Sequence, residues 1–126
     1  MTTTSHPYRL NRREFSLGKN RNYQYVYRKG KSFASRHMVL IYVPSKDLKV
    51  GFSVSAKVGN AVCRNRLRRY FKEDFRMIRT KVKEGKYVFV ARSSAKDTPH
   101  SVLTSHMSAL IKRACLFKEG TSHEAC

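Results

Sequence analysis

Hydrophobic positions along this chain change period several times, and each change marks a predicted element. Between Asn20 and Gly30, Tyr23, Val26 and Tyr27 recur at i, i+3 and i+4 while Tyr25 falls elsewhere. That spacing predicts a short helix, with Asn20 able to cap its start and Gly30 to stop it. Met38–Val43 is an unbroken apolar run ended by Pro44, the pattern of a buried strand, and a polar turn, SKDLK, follows. Next, Val50, Phe52 and Val54 alternate with Gly51, Ser53 and Ser55, predicting a strand with one bulky face and one small polar face. Lys57 extends the small face, and the two strands are expected to pair as an antiparallel hairpin.

From Lys57 to Lys83 the period becomes helical. Asn60 is a good N-cap, and Cys63, Leu67, Phe71, Phe75, Ile78 and Val82 follow at steps of three and four. On a wheel of about 100° per residue, this apolar arc lies roughly 140° from an arc holding Arg64, Asn65, Arg68, Arg69, Lys72, Arg76 and Arg79. Glu84–Gly85 then makes a turn, and Tyr87–Ala91 (YVFVA) reads as a strand covered on both faces. Strand, helix, strand implies a parallel pair joined by a crossover. Asp97 or Thr98 before Pro99 marks a last helix, with Leu103, Met107, Leu110 and Ala114 as its apolar stripe. The expected order is α-β-β-α-β-α, an α/β (α+β) two-layer sandwich with a small mixed sheet.

Composition sharpens this picture. The 126 residues carry 27 Lys+Arg against 8 Asp+Glu, a net charge of +19. Such an excess opposes compaction and is best tolerated where a polyanion neutralises it. Like charges at i,i+4 (Arg64, Arg68, Lys72, Arg76) cost an isolated helix roughly 0.2–0.5 kcal/mol per pair. Arginine dominates the densest part, and its planar fork matches phosphate oxygens. The long helix therefore points to nucleic acid. Glu73 and Asp74 interrupt the cations; a hydrated Mg2+ near RNA is one role for them, and tuning of the cationic face is the favoured one.

The chain length suits one domain at 19–118, with a flexible basic extension at 1–18 and a frayed tail at 119–126. Met38–Val43 is too short to span a bilayer, and the first residues lack the apolar core of a signal peptide, so a soluble cytoplasmic protein is expected. Cys63, Cys115 and Cys126 show no CxxC spacing and share no ligand spacing with the five histidines, which speaks against zinc. No nucleotide-binding, nucleophile-elbow or metalloprotease motif is present, and no paired-carboxylate motif suggests catalysis. A binding module is the default. At this point Tyr23 and Tyr27 have two readings, half-buried core or a platform for stacking unpaired bases, and the segment by itself favours core.

The run GFSVSAKVGNAVCRNRLRRYFKEDFR closely resembles the signature of the bacterial ribonuclease P protein subunit. That signature is a strand of small residues, then K-x-G-x-A-V-x-R-N-x-x-[KR]-R, then a basic helix with an apolar back. YQYVYRKGKSFASRHMVLIY is similar to the family's aromatic helix and first strand, and GKYVFVARSSA to its last parallel strand. The resemblance implies the same element order with a left-handed crossover, whereas about 98% of such units are right-handed. It implies a subunit of an endoribonuclease whose RNA partner, using Mg2+, removes the 5′ leader of precursor tRNA; the protein itself holds no catalytic residue and no metal site. Ribonuclease P RNA and precursor tRNA are the implied partners, with no membrane and no small-molecule substrate. By position, Arg64, Asn65, Arg66, Arg68, Arg69, Lys72 and Arg76 fall in the RNA-binding helix. Tyr23, Tyr27, Ser53, Ser55 and Lys57 fall in the leader-binding cleft, so the resemblance turns the tyrosines toward RNA contact. Two positions depart from the pattern: Ala56 stands where the family often has Lys, and Ile41 where some members have an aromatic, with Tyr42 next to it. The alternative is a structural RNA-binding protein of ribosomal type without a nuclease partner.

Overall fold

The computed structural model describes residues 16–18 and 20–118, so the terminal segments 1–15 and 119–126, the bulk of the expected extension and the expected tail, lie outside the described residues. The elements are α1 (Asn20–Lys29), β1 (Lys31–Ala34), β2 (Met38–Pro44), β3 (Lys49–Ser53), α2 (Ala61–Ile78), β4 (Gly85–Ala91), one 3-10 turn (Ser93–Asp97) and α3 (His100–Arg113). The expected order is therefore present with a short additional strand, β1, whose sequence KSFA carries too little apolar alternation to announce itself.

The sheet has four strands in the order β1-β2-β4-β3. β4 lies antiparallel to β2 and parallel to β3, with α2 as the crossover between the parallel strands. The expected β2–β3 hairpin does not form, because β4 inserts between the two. The reason is burial: Tyr87, Val88 and Phe89 are all fully buried, so this strand needs partners at both edges and cover on both faces.

Register sorts the side chains. Met38, Leu40, Val50, Tyr87, Phe89 and Ala91 face α2 and α3 in the main core, which also holds Cys63, Leu67, Phe71 and Phe75 of α2. On the opposite face Val43 and Val88 pack with Val26 of α1 and Leu17, flanked by Tyr23, Ile41 and Val90. Leu17 also donates its backbone N–H to Val50, covering part of the β3 edge.

α2 begins as its sequence demands, with Asn60 in extended conformation and its side chain accepting from the Cys63 backbone N–H at 2.9 Å. The helix ends at Ile78, so Val82 is buried beyond it, in an isolated bridge with Phe117. α3 starts later than expected, at His100, because the 3-10 turn uses the residues up to Asp97 and Pro99 takes the N-cap position. Leu103, Met107, Leu110 and Ile111 are its buried stripe.

A polar cluster centred on Asp74 joins α2 to α3. His100 Nε2 lies 2.8 Å from Asp74 Oδ1, and Thr104 donates its hydroxyl to the same oxygen at 2.7 Å. The Tyr70 ring stacks flat on His100, with centroids 4.2 Å apart. Asp74 is buried, and its Oδ2 has no partner. Burial pushes its carboxyl up from the ordinary value, against the bonds from Thr104 and His100 that favour the ionised form.

A native carboxyl that holds its proton more tightly than the unfolded chain does favours folding in acid. That contribution is lost as pH rises through the raised value. Asp74→Asn keeps an acceptor for Thr104 and never ionises. Thermal melts across a pH series should show the variant gaining on the parent as pH rises from the ordinary carboxylate range toward neutrality. A difference independent of pH would contradict this.

Candidate nucleic-acid interface

The outward side of α2 is built on its i,i+4 rows. Arg64 donates from Nε to the Gly59 carbonyl at 3.2 Å. Arg68 donates to the Val54 carbonyl at 3.3 Å and to Asn65 Oδ1 at 3.1 Å. These bonds tie the start of the helix to the segment leaving β3. A guanidinium has five N–H donors, so each side chain keeps others for an outside acceptor. Asn65, Arg69 and Lys72 are exposed beside them. Arg76 is paired with Glu73, an exposed contact worth about 0.2–1 kcal/mol that a phosphate could displace.

Arg66 stands apart from this group. Its spacing turns it about 130° from the centre of the cationic arc, and its guanidinium lies 3.9 Å from the Cys63 sulfur. Asp74 likewise does not tune the cationic face. It points inward to α3, which leaves Glu73 alone in that role. Among the described residues no three His, Cys, Asp or Glu side chains gather as a metal-binding group.

The second part of the surface lies where α1 crosses the sheet. Tyr23 rests on Gly51: a Cβ at Gly51 would meet the end of the Tyr23 ring at 2.5 Å. The small face of β3 thus admits an aromatic ring, and the ring belongs to the chain itself. Burial pushes the Tyr23 hydroxyl up, against a hydrogen bond with the Phe52 backbone and the nearby charge of Arg68. Tyr27 lies one turn on, 6.5 Å away between centroids, and is 38% exposed. The two tyrosines therefore differ: Tyr23 is seated on the sheet, and Tyr27 offers its ring to solvent.

Ser53 is half-buried, and Ser55 and Lys57 are exposed as the chain leaves β3. Ala56, also exposed, leaves Lys57 as the cation of that turn. Ile41 faces α1 beside Val88. Tyr42 packs edge-on against Tyr87 on the opposite face, at 4.9 Å, with its hydroxyl donating to the Glu84 carbonyl at 2.8 Å. Ile41 is thus the member of the pair on the cleft face. Arg68 ties the helix to the chain leaving β3 through the Val54 carbonyl, and its charge opposes the burial that raises the Tyr23 hydroxyl.

Sequence reading gave no place to Lys86, which lies on the Tyr25 flank of α1 away from Tyr23 and Tyr27, its ammonium 4.9 Å from the Tyr25 ring centroid. It also missed Arg92, exposed just past β4 and donating to the Ser35 carbonyl at 3.2 Å. The alternation Lys86, Val88, Val90, Arg92 was the available signal for both.

The seating of Tyr23 has a direct check. Gly51→Ala should cost about 1–3 kcal/mol in urea unfolding, the usual price of overpacking. In a Tyr23→Ala background most of that cost should vanish, because the clash has gone. An equal cost in both backgrounds would show that the ring is not what Gly51 accommodates.

The family model described as Ribonuclease P matches residues 11–115. The ribonuclease P protein component of Listeria monocytogenes serotype 4b is 32% identical over 112 residues, 86% of this chain and 94% of that protein. That of Exiguobacterium sp. is 37% identical over 111 residues, 86% of this chain and 96% of that protein. Among solved structures, the Staphylococcus aureus RNase P protein aligns with a TM-score of 0.77 at 31% identity, covering 82% of this chain and 98% of that one. The Thermotoga maritima RNase P protein, at 23% identity and a TM-score of 0.68, shares the fold over 83% of this chain and 96% of its own.

Proposed function

The chain belongs to the ribonuclease P protein family, and from that premise we propose that it is the protein subunit of a bacterial ribonuclease P holoenzyme. In this reading it binds the catalytic RNA through α2 and the 5′ leader of precursor tRNA in the cleft beside α1. It thereby promotes endonucleolytic 5′ maturation of tRNA in the cytoplasm. The observation that carries the reading is a cationic helix face whose Arg68 is bonded to the Val54 carbonyl, just past the strand whose Gly51 seats Tyr23.

In this reading the chemistry would fall to the RNA partner, which would use Mg2+, and no residue of this chain is assigned to hold the metal. What this chain supplies is binding and orientation. Arg64, Arg68, Arg69 and Lys72 present cations along one helix face, and phosphate oxygens replace the water and counterions around them. Arg64 and Arg68 are held by carbonyls, so less side-chain freedom is lost when RNA binds. In the cleft Tyr27 offers a π-face that accepts any base, with Ser53, Ser55 and Lys57 near the backbone path. A leader that varies between precursors suits contacts of this kind. Holding the leader raises affinity for precursor over mature tRNA, and cations beside the RNA lower its demand for free Mg2+. Among the described residues no helix is long and apolar enough to cross a membrane.

Two variants test the division of labour. Replacing Arg64 and Arg69 with Ala should weaken binding to ribonuclease P RNA. It should also make the log–log salt dependence shallower by roughly 0.7–0.9 per lost contact. Tyr27→Ala should weaken precursor tRNA binding by roughly tenfold while sparing mature tRNA. An unchanged salt slope in the first variant would remove α2 from the RNA interface. Equal losses on both tRNAs in the second would make Tyr27 a structural residue, as a ribosomal-type RNA-binding protein requires.

A further inference from the structure

α1 has a second aromatic flank. Tyr25 lies on the side of the helix away from Tyr23 and Tyr27, 39% exposed, with the Lys86 ammonium 4.9 Å from its ring centroid. Lys86 also lines a cavity of about 380 Å³, together with Ser16, Asn22, Ser45, Asp47 and Lys49. Lys49 and Lys86 are register partners on adjacent parallel strands, so both ammonium groups serve the same hollow. Asp47 is the one carboxylate of that lining, and Asn22 donates to the Leu17 carbonyl at 2.6 Å at its wall. Between the two flanks the crest of α1 carries Arg21, Gln24 and Arg28, all exposed. No acidic residue lies anywhere in the helix.

These features form a path. A helix with its side chains is only about 10–12 Å thick, so the Tyr27 and Tyr25 flanks are separated by a distance a few nucleotides can span. The crest between them is cationic, and the far side ends in a ring, two lysines and several small polar groups. A ring beside ammonium groups is the pairing that a base and its phosphate demand. A protein ligand would need apolar anchors, which this lining lacks apart from Leu17.

We propose that α1 is a saddle for single-stranded RNA: the strand leaving the Tyr27 cleft crosses Arg21 and Arg28, and a further nucleotide stacks on Tyr25 with its phosphate between Lys49 and Lys86. This rests on the leader-binding reading and extends it to the upstream part of the leader. The site requires no particular base.

The experiment uses the holoenzyme, reconstituted from this full chain and a bacterial ribonuclease P RNA. Binding is measured for precursor tRNAs whose leaders lengthen one nucleotide at a time. Affinity should rise in two steps, first as the leader fills the cleft and again as it crosses α1. Tyr25→Ala combined with Lys86→Gln should abolish the second step, a loss of at least about fivefold on long leaders, given the usual strength of base stacking. Short-leader affinity should stay at the parent value, which also shows that the variant folds. Tyr27→Ala should remove the first step. A single step in the parent protein, or a second step that survives in the double variant, overturns the saddle while leaving the cleft intact. No dependence on leader length at all would overturn the leader-binding reading itself.

Discussion

β4 must be covered on both faces and at both edges, and the arrangement of the molecule follows from that requirement. Tyr87 and Phe89 need α2 and α3 on one side, and Val88 needs α1 on the other. Pairing at both edges places β2 and β3 on either side of it, which makes β3 an edge strand, with β1 at the other edge. α2 leaves the end of β3 and returns to β4, so its first turn is fixed beside the open edge of the α1 face. Cationic helix and aromatic cleft thereby become neighbours, with Arg64 and Arg68 both bonded to the segment between them.

The same geometry separates two demands on α2. Its inner arc supplies Cys63, Leu67, Phe71 and Phe75 to the core, and its outer arc concentrates positive charge that weakens the free helix. Bonds from Arg64 and Arg68 to backbone carbonyls and the Asn60 cap offset part of that repulsion at the N-terminus, where cations also oppose the helix dipole. RNA would remove the remainder. The buried Asp74–His100–Thr104 contact works elsewhere, fixing how α3 packs against the helix that carries the cations.

Elements whose signal is local were legible in the sequence. The Asn60 cap, the apolar arc of α2 as far as Ile78 and the β4 run each depend on neighbours within a few residues and stand where they were expected, while Val82 falls beyond the helix end. Pairing was not legible. The four residues between Pro44 and Lys49 serve a hairpin or a hop over a strand equally well, and only the later burial of β4 decides. Asp74 misled for a similar reason: beside Glu73 on a basic helix it reads as surface, while its partners lie 26 and 30 residues away. The small face of β3 correctly announced a close approach, but the visitor proved to be Tyr23. Lys86 and Tyr25 lie far apart in sequence and meet only where α1 crosses the sheet, a pairing that no local pattern announces. The roles expected of the helix and cleft residues came from family resemblance, and the geometry sets Arg66 apart from the other helix cations.

The central claim is that this chain serves a ribozyme that matures tRNA, and one assay addresses it. Cleavage of precursor tRNA by a bacterial ribonuclease P RNA would be followed at low Mg2+, with and without the protein, alongside mature tRNA binding. The account predicts that the protein restores 5′ cleavage and favours precursor over mature tRNA. Tight binding to the RNA with no restored cleavage would contradict it.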